Sequence, residues 1–178
     1  FLPESPCRRG HLESRRVDAA SVPALLTTDT MAGAAGDDKT AAMTAAANKF
    51  FEACETGKGW AECKQYCTDD ASFAAQAEPL ADIKTLEAYT DWMKGLLGFV
   101  PDGKYDLKSF AVDAERKKVV AYAVFSGTHT GEGGPCPPTN KSIKSDYVYI
   151  MSFNDDGKVC GMVKVWHAGI AMKEFGWC

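Results

Sequence analysis

Residues 142–166, SIKSDYVYIMSFNDDGKVCGMVKVW, decide the fold of this chain. Two runs rich in β-branched and aromatic residues flank the NDDG turn at residues 154–157, and an Asp-Gly step between such runs is a strong hairpin signal. A tight turn pairs Phe153 with Lys158 and sets the register of the whole ladder. The segment therefore predicts an antiparallel hairpin.

A third strand-like run, residues 119–131, precedes this hairpin and extends it to a meander. Counting back from the tight turn sets Asp146 opposite Val165, with His167 one diagonal step away. The first connection, rich in Gly and Pro, does not fix a register by itself. If His129 lies opposite Asp146, the small apolar residues of the three strands all lie on the same face of the sheet. A slip of one residue in either hairpin would move part of this set to the opposite face.

In this register one face of the sheet is small and apolar except at one end. Its members are Ala121, Ala123, Phe125, Gly127, His129, Asp146, Val148, Ile150, Ser152, Gly161, Val163, Val165 and His167. The polar end, formed by His129, Asp146 and His167, predicts a pocket with a polar mouth, and Phe125, Val148 and Val165 are expected to line it. The opposite face mixes large aromatic side chains with polar groups.

Composition limits the class of protein. The chain has 178 residues, of which 46% are hydrophobic and 11% aromatic, which suffices for one domain with a substantial core. A net charge of −4 gives no electrostatic footprint for nucleic acid. No apolar run approaches the roughly 20 residues of a membrane helix, so a soluble protein is expected.

The seven cysteines form an odd set without a C-x-x-C pair. In a domain of this size they indicate free thiols in a reducing compartment rather than a disulfide framework. Cys63 and Cys67 would share one helix face and could in principle ligate a metal, but two small residues facing the core are the favoured interpretation. No metal and no cofactor is predicted.

Residues 1–38 differ from the rest and are expected to form a flexible leader, with the domain over residues 39–178. The leader carries Arg8, Arg9, Arg15 and Arg16 and several hydroxylated residues, and it resembles an organelle transit peptide. Its start, Phe1-Leu2-Pro3, is similar to plastid transit peptides of algae with complex plastids. A disordered tail or a cloning remnant is the alternative, so the location is either chloroplast or cytoplasm.

The remaining chain alternates helical and strand patterns. Helices are predicted from Asp37 to the glycines at 57 and 59 and over residues 60–67 and 83–97, and strands are predicted over residues 71–76 and 104–113. Residues 171–177, which carry Phe175 and Trp177, are expected to form a short helix or an extension over the sheet. The order of helix, helix, strand, helix and four strands predicts an α+β fold with helices on one face of the sheet.

Three phrases carry a resemblance to a known family: YCTDDASF at residues 66–73, LADIKTLEAYTDWM at 80–93 and FNDDGKV at 153–159. Together with the element order, they resemble the SnoaL-like, polyketide cyclase-like branch of the nuclear-transport-factor-two-like superfamily, over residues 40–178. The resemblance implies a cone-shaped, strongly curved mixed or antiparallel sheet packed on three N-terminal helices. It also implies an internal pocket, which Tyr89 and Trp92 could line.

The same resemblance implies a homodimer through the outer sheet face. The aromatic-rich side of the predicted sheet would suit such an interface. Its candidates are Tyr122, Tyr147, Tyr149, Met151 and Trp166.

The resemblance also suggests a chemistry. In polyketide cyclase members a histidine and an aspartate on adjacent strands serve proton transfer, and His129 and Asp146 occupy similar positions. Desolvation at the rim of an apolar cavity can raise the pKa of a carboxylate, so Asp146 would act as the base and His129 and His167 as its partners. The expected ligand is a small, apolar, carbonyl-bearing molecule, and the reaction is a cofactor-free lyase, isomerase or cyclase step.

Other interpretations stay open. The histidines and Asp146 can simply satisfy strand ends and loops, and the domain could be a non-catalytic ligand-binding module or a dimeric accessory subunit of a plastid complex. The acidic base of ketosteroid isomerases is absent, because Ala74 and Ala75 stand in that strand. An iota-type carbonic anhydrase is the least favoured, since residues 166–169 match its His-His-Ser-Ser run at one position of four.

Overall fold

A computed structural model of the protein describes residues 30–177, with side chains from residue 38. Its helices are α1 (Thr30–Glu55), α2 (Trp60–Cys63), α3 (Leu86–Phe99) and α4 (Ala168–Phe175). Its strands are β1 (Cys67–Ala75), β2 (Lys104–Asp113), β3 (Lys118–Thr128), β4 (Ser142–Phe153) and β5 (Val159–Trp166). The predicted order of helices and strands is confirmed, and so is the α+β class.

Helix α1 begins at Thr30 and therefore includes the last residues of the segment that the sequence analysis assigned to a leader. The rest of that segment, residues 1–29, lies outside the described residues. Within α1, Ala47, Phe50, Phe51 and Cys54 are buried at helical spacing, which is the amphipathic pattern that places this helix against the sheet.

Helix α3 begins where the sequence supplies a cap. The Thr85 hydroxyl accepts a hydrogen bond from the Ala88 backbone N–H at 3.2 Å, which satisfies one of the free donors of the first turn. The helix buries Tyr89, Thr90 and Met93, among others, on one face. This face looks toward the sheet and brings the Tyr89 hydroxyl into the interior.

The five strands form one mixed sheet in the order β1-β5-β4-β3-β2, which does not close into a barrel. β1 runs parallel to β5, and the other three pairs are antiparallel. With the helices against its inner face, the sheet has the expected cone-like form. No helix in residues 30–177 is both long and apolar enough to cross a membrane.

The hairpin of β4 and β5 forms as predicted, with Gly157 in the left-handed region at φ 75°. Its register differs from the predicted one by two residues. Phe153 pairs with Val159 instead of Lys158, and a bulge at the next step shifts the ladder again, so that Val165 lies opposite Val148. Beyond the bulge, from Gly161 to Trp166, the total shift of two keeps each side chain of β5 on its predicted side relative to β4.

The predicted register of β3 on β4 is wrong. Asp146 pairs with Val124, and the ladder ends at Thr128 opposite Ser142, followed by a hydrogen bond of 3.0 Å from the His129 N–H to the Lys141 carbonyl. The offset is five residues, which is an odd number. The side chains of β4 and β5 that were predicted to share the small apolar face of β3 therefore lie on the other face of the sheet. The cause is that β4 begins to pair with β3 at Ser142, directly after the Gly- and Pro-rich loop, and so earlier in the chain than the predicted register requires.

As a consequence, the large side chains of β4 and β5 point inward. Tyr147, Tyr149 and Met151 are at most 3% exposed and pack with Ala121 and Ala123 over the helices. The small apolar residues of these strands lie on the outer face. The interior of the cone is thus lined by tyrosines rather than by valines.

Candidate ligand-binding site

A narrow cavity lies between the inner face of the sheet, α3 and the C-terminal segment. It comprises about 410 Å³ of unfilled space, counting the part that opens to solvent, and a water-sized sphere can be centred in only about 30 Å³ of it. Its walls are mostly aromatic or aliphatic, with two charged groups. The lining residues are Glu55, Trp92, Met93, Leu96, Phe125, Ile143, Ser145, Tyr147, Lys164, Trp166, Met172, Phe175 and Trp177.

Lys164 is the buried cation of this cavity. It stands in the middle of β5, and only 7% of the residue is exposed. Its Nζ lies between 4.8 and 5.9 Å from the centroids of five aromatic rings, which we term the aromatic cage. The cage consists of Tyr89, Trp92, Tyr147, Tyr149 and Trp166. Ring faces attract a cation, which offsets part of the cost of removing the ammonium from water.

A chain of hydroxyl groups connects Lys164 to a buried carboxylate. Lys164 Nζ donates to the Tyr89 hydroxyl at 2.9 Å, and the Tyr89 and Tyr149 hydroxyls are hydrogen-bonded to each other. The Tyr149 hydroxyl donates to one oxygen of Glu55, and the Tyr147 hydroxyl donates to the other at 2.5 Å. Both charges are therefore compensated across two bridging tyrosines.

Glu55 ends helix α1 and is 2% exposed. A carboxylate at a helix C-terminus meets the negative end of the helix dipole, so this position does not stabilise the helix. The tyrosine hydroxyls hold it instead. Two of the roughly four acceptor positions of the carboxylate are occupied, which leaves capacity toward the cavity.

Burial shifts both charged groups toward neutrality. Desolvation lowers the pKa of Lys164 to about 8, although the neighbouring Glu55 carboxylate opposes this shift. Desolvation raises the pKa of Glu55, and Lys164 and the hydrogen bonds from Tyr147 and Tyr149 oppose the increase. A base and an acid with pKa values displaced toward neutral pH are typical of catalytic sites, and also of buried structural networks.

His129, predicted as a catalytic partner, is fully buried beside the C-terminal segment and does not line the cavity. Its Nδ1 accepts hydrogen bonds from the Trp177 indole N–H at 3.0 Å and from the Thr139 backbone N–H at 3.3 Å. The proton is therefore on Nε2, which has no hydrogen-bond partner among the described residues. His129 holds Trp177 in place as part of the cavity wall.

Asp146, predicted as the base, lies on the outer face of the sheet and is exposed. Its carboxylate accepts a hydrogen bond from the Tyr122 hydroxyl at 2.6 Å. The structure does not bring it together with His129, because β4 is displaced by five residues along β3 from the predicted position. His129 and Asp146 lie on opposite faces of the sheet.

His167, the third predicted catalytic residue, is exposed and precedes α4. Its Nδ1 accepts a hydrogen bond from the Ile170 backbone N–H at 3.3 Å and so caps this helix. It lines a shallow surface depression near Pro79 rather than the cavity. The three predicted catalytic residues occupy three separate environments.

Of the predicted pocket residues, Trp92 and Phe125 line the cavity. Tyr89 is buried behind them and reaches the site through its hydrogen bond to Lys164. Val148 and Val165 lie on the outer face, because the register reverses their orientation.

The sequence contains a signal for Lys164 and Glu55, the two charged residues of the cavity that were not predicted as site residues. Lys164 interrupts the apolar run Met162 to Trp166 in register with large inward-facing residues, and Glu55 follows the buried Cys54 at a helix end. A charged residue inside an otherwise apolar strand calls for a buried partner. Which partner it finds depends on contacts across more than 70 residues of sequence.

Comparison with known proteins agrees with this fold. A sequence model of the SnoaL-like polyketide cyclase family matches residues 45–168. No curated protein sequence matches the chain.

Solved structures with a similar fold include AclR from Streptomyces galilaeus, with 20% identity and a TM-score of 0.62 over 78% of this chain and 83% of that one. TsrD from Streptomyces laurentii has 16% identity and a TM-score of 0.62 over 78% and 97%. The BvnE pinacolase from Penicillium brevicompactum has 11% identity and a TM-score of 0.60 over 77% and 90%. At these identities the solved structures support the fold alone. The family match covers more than half of the chain, and the protein belongs to the SnoaL-like polyketide cyclase family.

Proposed function

We propose that the protein binds a small, largely apolar, carbonyl-bearing molecule in the cavity and catalyses proton transfer at the carbon next to the carbonyl. The observation that carries this proposal is Lys164, a cation at the wall of a mostly apolar cavity, with only 7% of the residue exposed. Tyr89 is its only hydrogen-bond acceptor among the described residues, so the ammonium keeps donors for a ligand oxygen.

Lys164 is assigned the role of polarising the carbonyl. An ammonium in a low-dielectric site stabilises the negative charge that develops on the carbonyl oxygen when the neighbouring carbon loses its proton. The aromatic cage fixes the position of this charge before the ligand arrives. Such preorganisation is what makes a single charge effective in catalysis.

Glu55 is assigned the role of base. It lines the cavity, and burial raises its pKa. The pKa of Glu55 is therefore closer to that of a carbon acid than the pKa of a solvated carboxyl group would be. Tyr147 and Tyr149 orient both oxygens of the carboxylate. Proton transfer then involves side chains of this chain alone: Glu55 takes the proton, and Lys164 holds the enolate oxygen.

The direct test is hydrogen exchange at the carbon next to a carbonyl. The protein is incubated in heavy water with a set of small aldehydes and ketones, and deuterium incorporation is followed by proton NMR. We expect exchange above the buffer rate for the wild type, and a loss of about 100-fold or more in Lys164→Met and in Glu55→Gln.

The matched control is Lys144→Met, which removes an exposed lysine from the neighbouring strand β4. It should retain the wild-type rate. Exchange at the buffer rate in the wild type, or an unchanged rate in Lys164→Met, would contradict the catalytic proposal.

A non-catalytic ligand-binding or accessory role is the second candidate, and the narrowness of the cavity favours it. Six of the thirteen lining residues are aromatic, and only about 30 Å³ of the cavity accepts the centre of a water-sized sphere. In this case the wild type would retain a small molecule but would not accelerate exchange. The exchange experiment separates the two candidates.

A homodimer through the outer sheet face remains part of the proposal, with a corrected set of residues. Of the predicted interface candidates, Tyr122 is 38% exposed on that face, whereas Tyr147, Tyr149, Met151 and Trp166 belong to the inner face. Val163 and Val165, at 44% and 56% exposure, extend the apolar outer surface. Exposed apolar residues gathered on a sheet face are typical of association surfaces.

A further inference from the structure

We propose that Lys164 acts as a nucleophile and forms an imine with an aldehyde or ketone bound in the cavity. This rests on the proposed function in one respect, since it requires that the cavity admit a carbonyl compound. It goes further because the carbonyl is then activated by a covalent bond and not by a hydrogen bond.

The first requirement is an amine that a ligand can reach. Lys164 lines the cavity, and its Nζ lies 4.8 Å from the centre of the Trp166 ring and 5.9 Å from that of Trp92, both of which are cavity walls. A carbonyl compound in the cavity therefore contacts rings that surround the amine. Rings on several sides also restrict the directions from which a carbonyl carbon can approach.

The second requirement is that the ammonium can lose a proton without bulk water. The hydroxyl chain supplies a route: Lys164 passes a proton to the Tyr89 oxygen, Tyr89 passes its own to Tyr149, and Tyr149 passes its own to Glu55. The result is a neutral amine and a neutral carboxylic acid, and both tyrosines end as they began. Proton number is conserved.

Burial brings this neutral pair closer in free energy to the charged pair. Desolvation disfavours the charged form of each group, lowering the pKa of Lys164 to about 8 and raising that of Glu55. The groups that face this amine are the three cage tyrosines, Glu55 and the Cys54 thiol. A lysine desolvated in this way is a known type of activated nucleophile.

The reaction is balanced without any further reagent. The nitrogen of the neutral Lys164 amine forms a bond to the carbonyl carbon as the carbonyl π bond breaks, and one of the amine protons moves to the oxygen to give a neutral carbinolamine. The proton held on Glu55 returns through the hydroxyl chain to Tyr89, which protonates the hydroxyl of the carbinolamine. The C–O bond breaks, water departs, and a protonated imine and the Glu55 carboxylate are left. The protonated imine withdraws electrons from the neighbouring carbon more strongly than a hydrogen-bonded carbonyl does.

The test is reductive trapping on the wild-type protein, followed by peptide mapping. Propanal is the probe, because it is small, apolar and bears hydrogens next to its carbonyl, and sodium cyanoborohydride reduces the imine to a stable secondary amine. The protein should gain the mass of propanal less one oxygen atom. We expect Lys164 to be modified first, ahead of the exposed lysines and the N-terminal amine.

Two variants refine the test. Tyr89→Phe keeps the ring of the cage but removes the hydroxyl, so trapping at Lys164 should slow by about tenfold or more while propanal binding stays. Lys144→Met removes an exposed lysine and should leave trapping at Lys164 unchanged.

The outcomes separate this inference from the proposed function. Propanal binding or exchange in the wild type without any adduct at Lys164 would overturn the imine and leave the proposed function standing. Neither binding, exchange nor an adduct would contradict both. An adduct at Lys164 whose formation rate is unchanged in Tyr89→Phe would overturn the hydroxyl chain as the proton route.

Discussion

Lys164 Nζ donates a hydrogen bond of 2.9 Å to the Tyr89 hydroxyl, and this contact joins the centre of strand β5 to helix α3 inside the protein. Tyr89 is 0% exposed and Lys164 is 7% exposed. Through Tyr149 the contact continues to Glu55 at the end of α1. Four elements of the cone, β5, α3, β4 and α1, therefore meet at one charged network.

The network should couple Lys164 and Glu55 energetically. Lys164→Met leaves the carboxylate without its cation, and we expect a loss of about 3 kcal/mol in the free energy of unfolding. The double variant Lys164→Met/Glu55→Gln removes both charges and should cost less than Lys164→Met alone. Urea unfolding of the wild type, Lys164→Met, Glu55→Gln and the double variant measures the coupling. Additive effects on the free energy of unfolding would show that the two groups are independent.

The pH dependence of stability should reveal the buried amine. Desolvation lowers the pKa of Lys164 from 10.5 to about 8, so between these values the unfolded chain binds more protons at this site than the folded protein. The contribution of Lys164 to stability must therefore rise with pH in this window. We expect the difference in unfolding free energy between the wild type and Lys164→Met to grow by about 2 kcal/mol from about pH 8 to about pH 9.5.

The wild type must be compared with Lys164→Met because other buried groups lower the free energy of unfolding as the pH rises. Burial raises the pKa of the Cys63 and Cys67 thiols to about 12, so they reduce stability as the pH rises above 9.0. This effect is present in both proteins and cancels in the difference. A difference that stays constant with pH would mean that Lys164 titrates as a solvated lysine.

The location of the site predicts which carboxylate matters. Asp146 is exposed on the outer face and Glu55 is buried at the cavity, so Asp146→Asn should retain the exchange rate, whereas Glu55→Gln should lose it. Each change replaces a carboxylate with its neutral amide. Loss of exchange in Asp146→Asn alone would return the chemistry to the residue that the sequence pattern favours.

The outer face predicts the oligomeric state. We expect the 19.2 kDa chain to sediment as a dimer, and Val165→Glu to shift it to a monomer because a charge then enters the apolar surface. Ile170→Glu is the matched control, since Ile170 is 53% exposed on α4 and not on the sheet. A dimer that survives Val165→Glu would place the interface elsewhere.

The fold could be predicted because its signals are local. The Asp-Gly turn and the alternation of apolar residues each act over a few residues, and each leads to the element that the structure has. The strand Lys104–Asp113 is correct to the residue for the same reason. The predicted start of the third helix at residue 83 is three residues early, because the cap is Thr85.

The site could not be predicted because its signals are not local. The valines of β4 and β5 suggested the inner face, yet it is Tyr147 and Tyr149 that are buried, because Glu55 receives their hydroxyl hydrogen bonds from 92 and 94 residues away. Without that partner, two tyrosines and Lys164 belong outside. A register error of an odd number of residues then carried Asp146 to the wrong face.

Lys164 is the group to which the binding of the ligand is assigned. A native mass spectrum of the purified protein tests this, with the wild type measured beside Lys164→Met and Lys144→Met. We predict that a small molecule stays bound to the wild type and to Lys144→Met and is absent from Lys164→Met. A molecule retained equally by all three proteins would contradict the assignment of the site to Lys164.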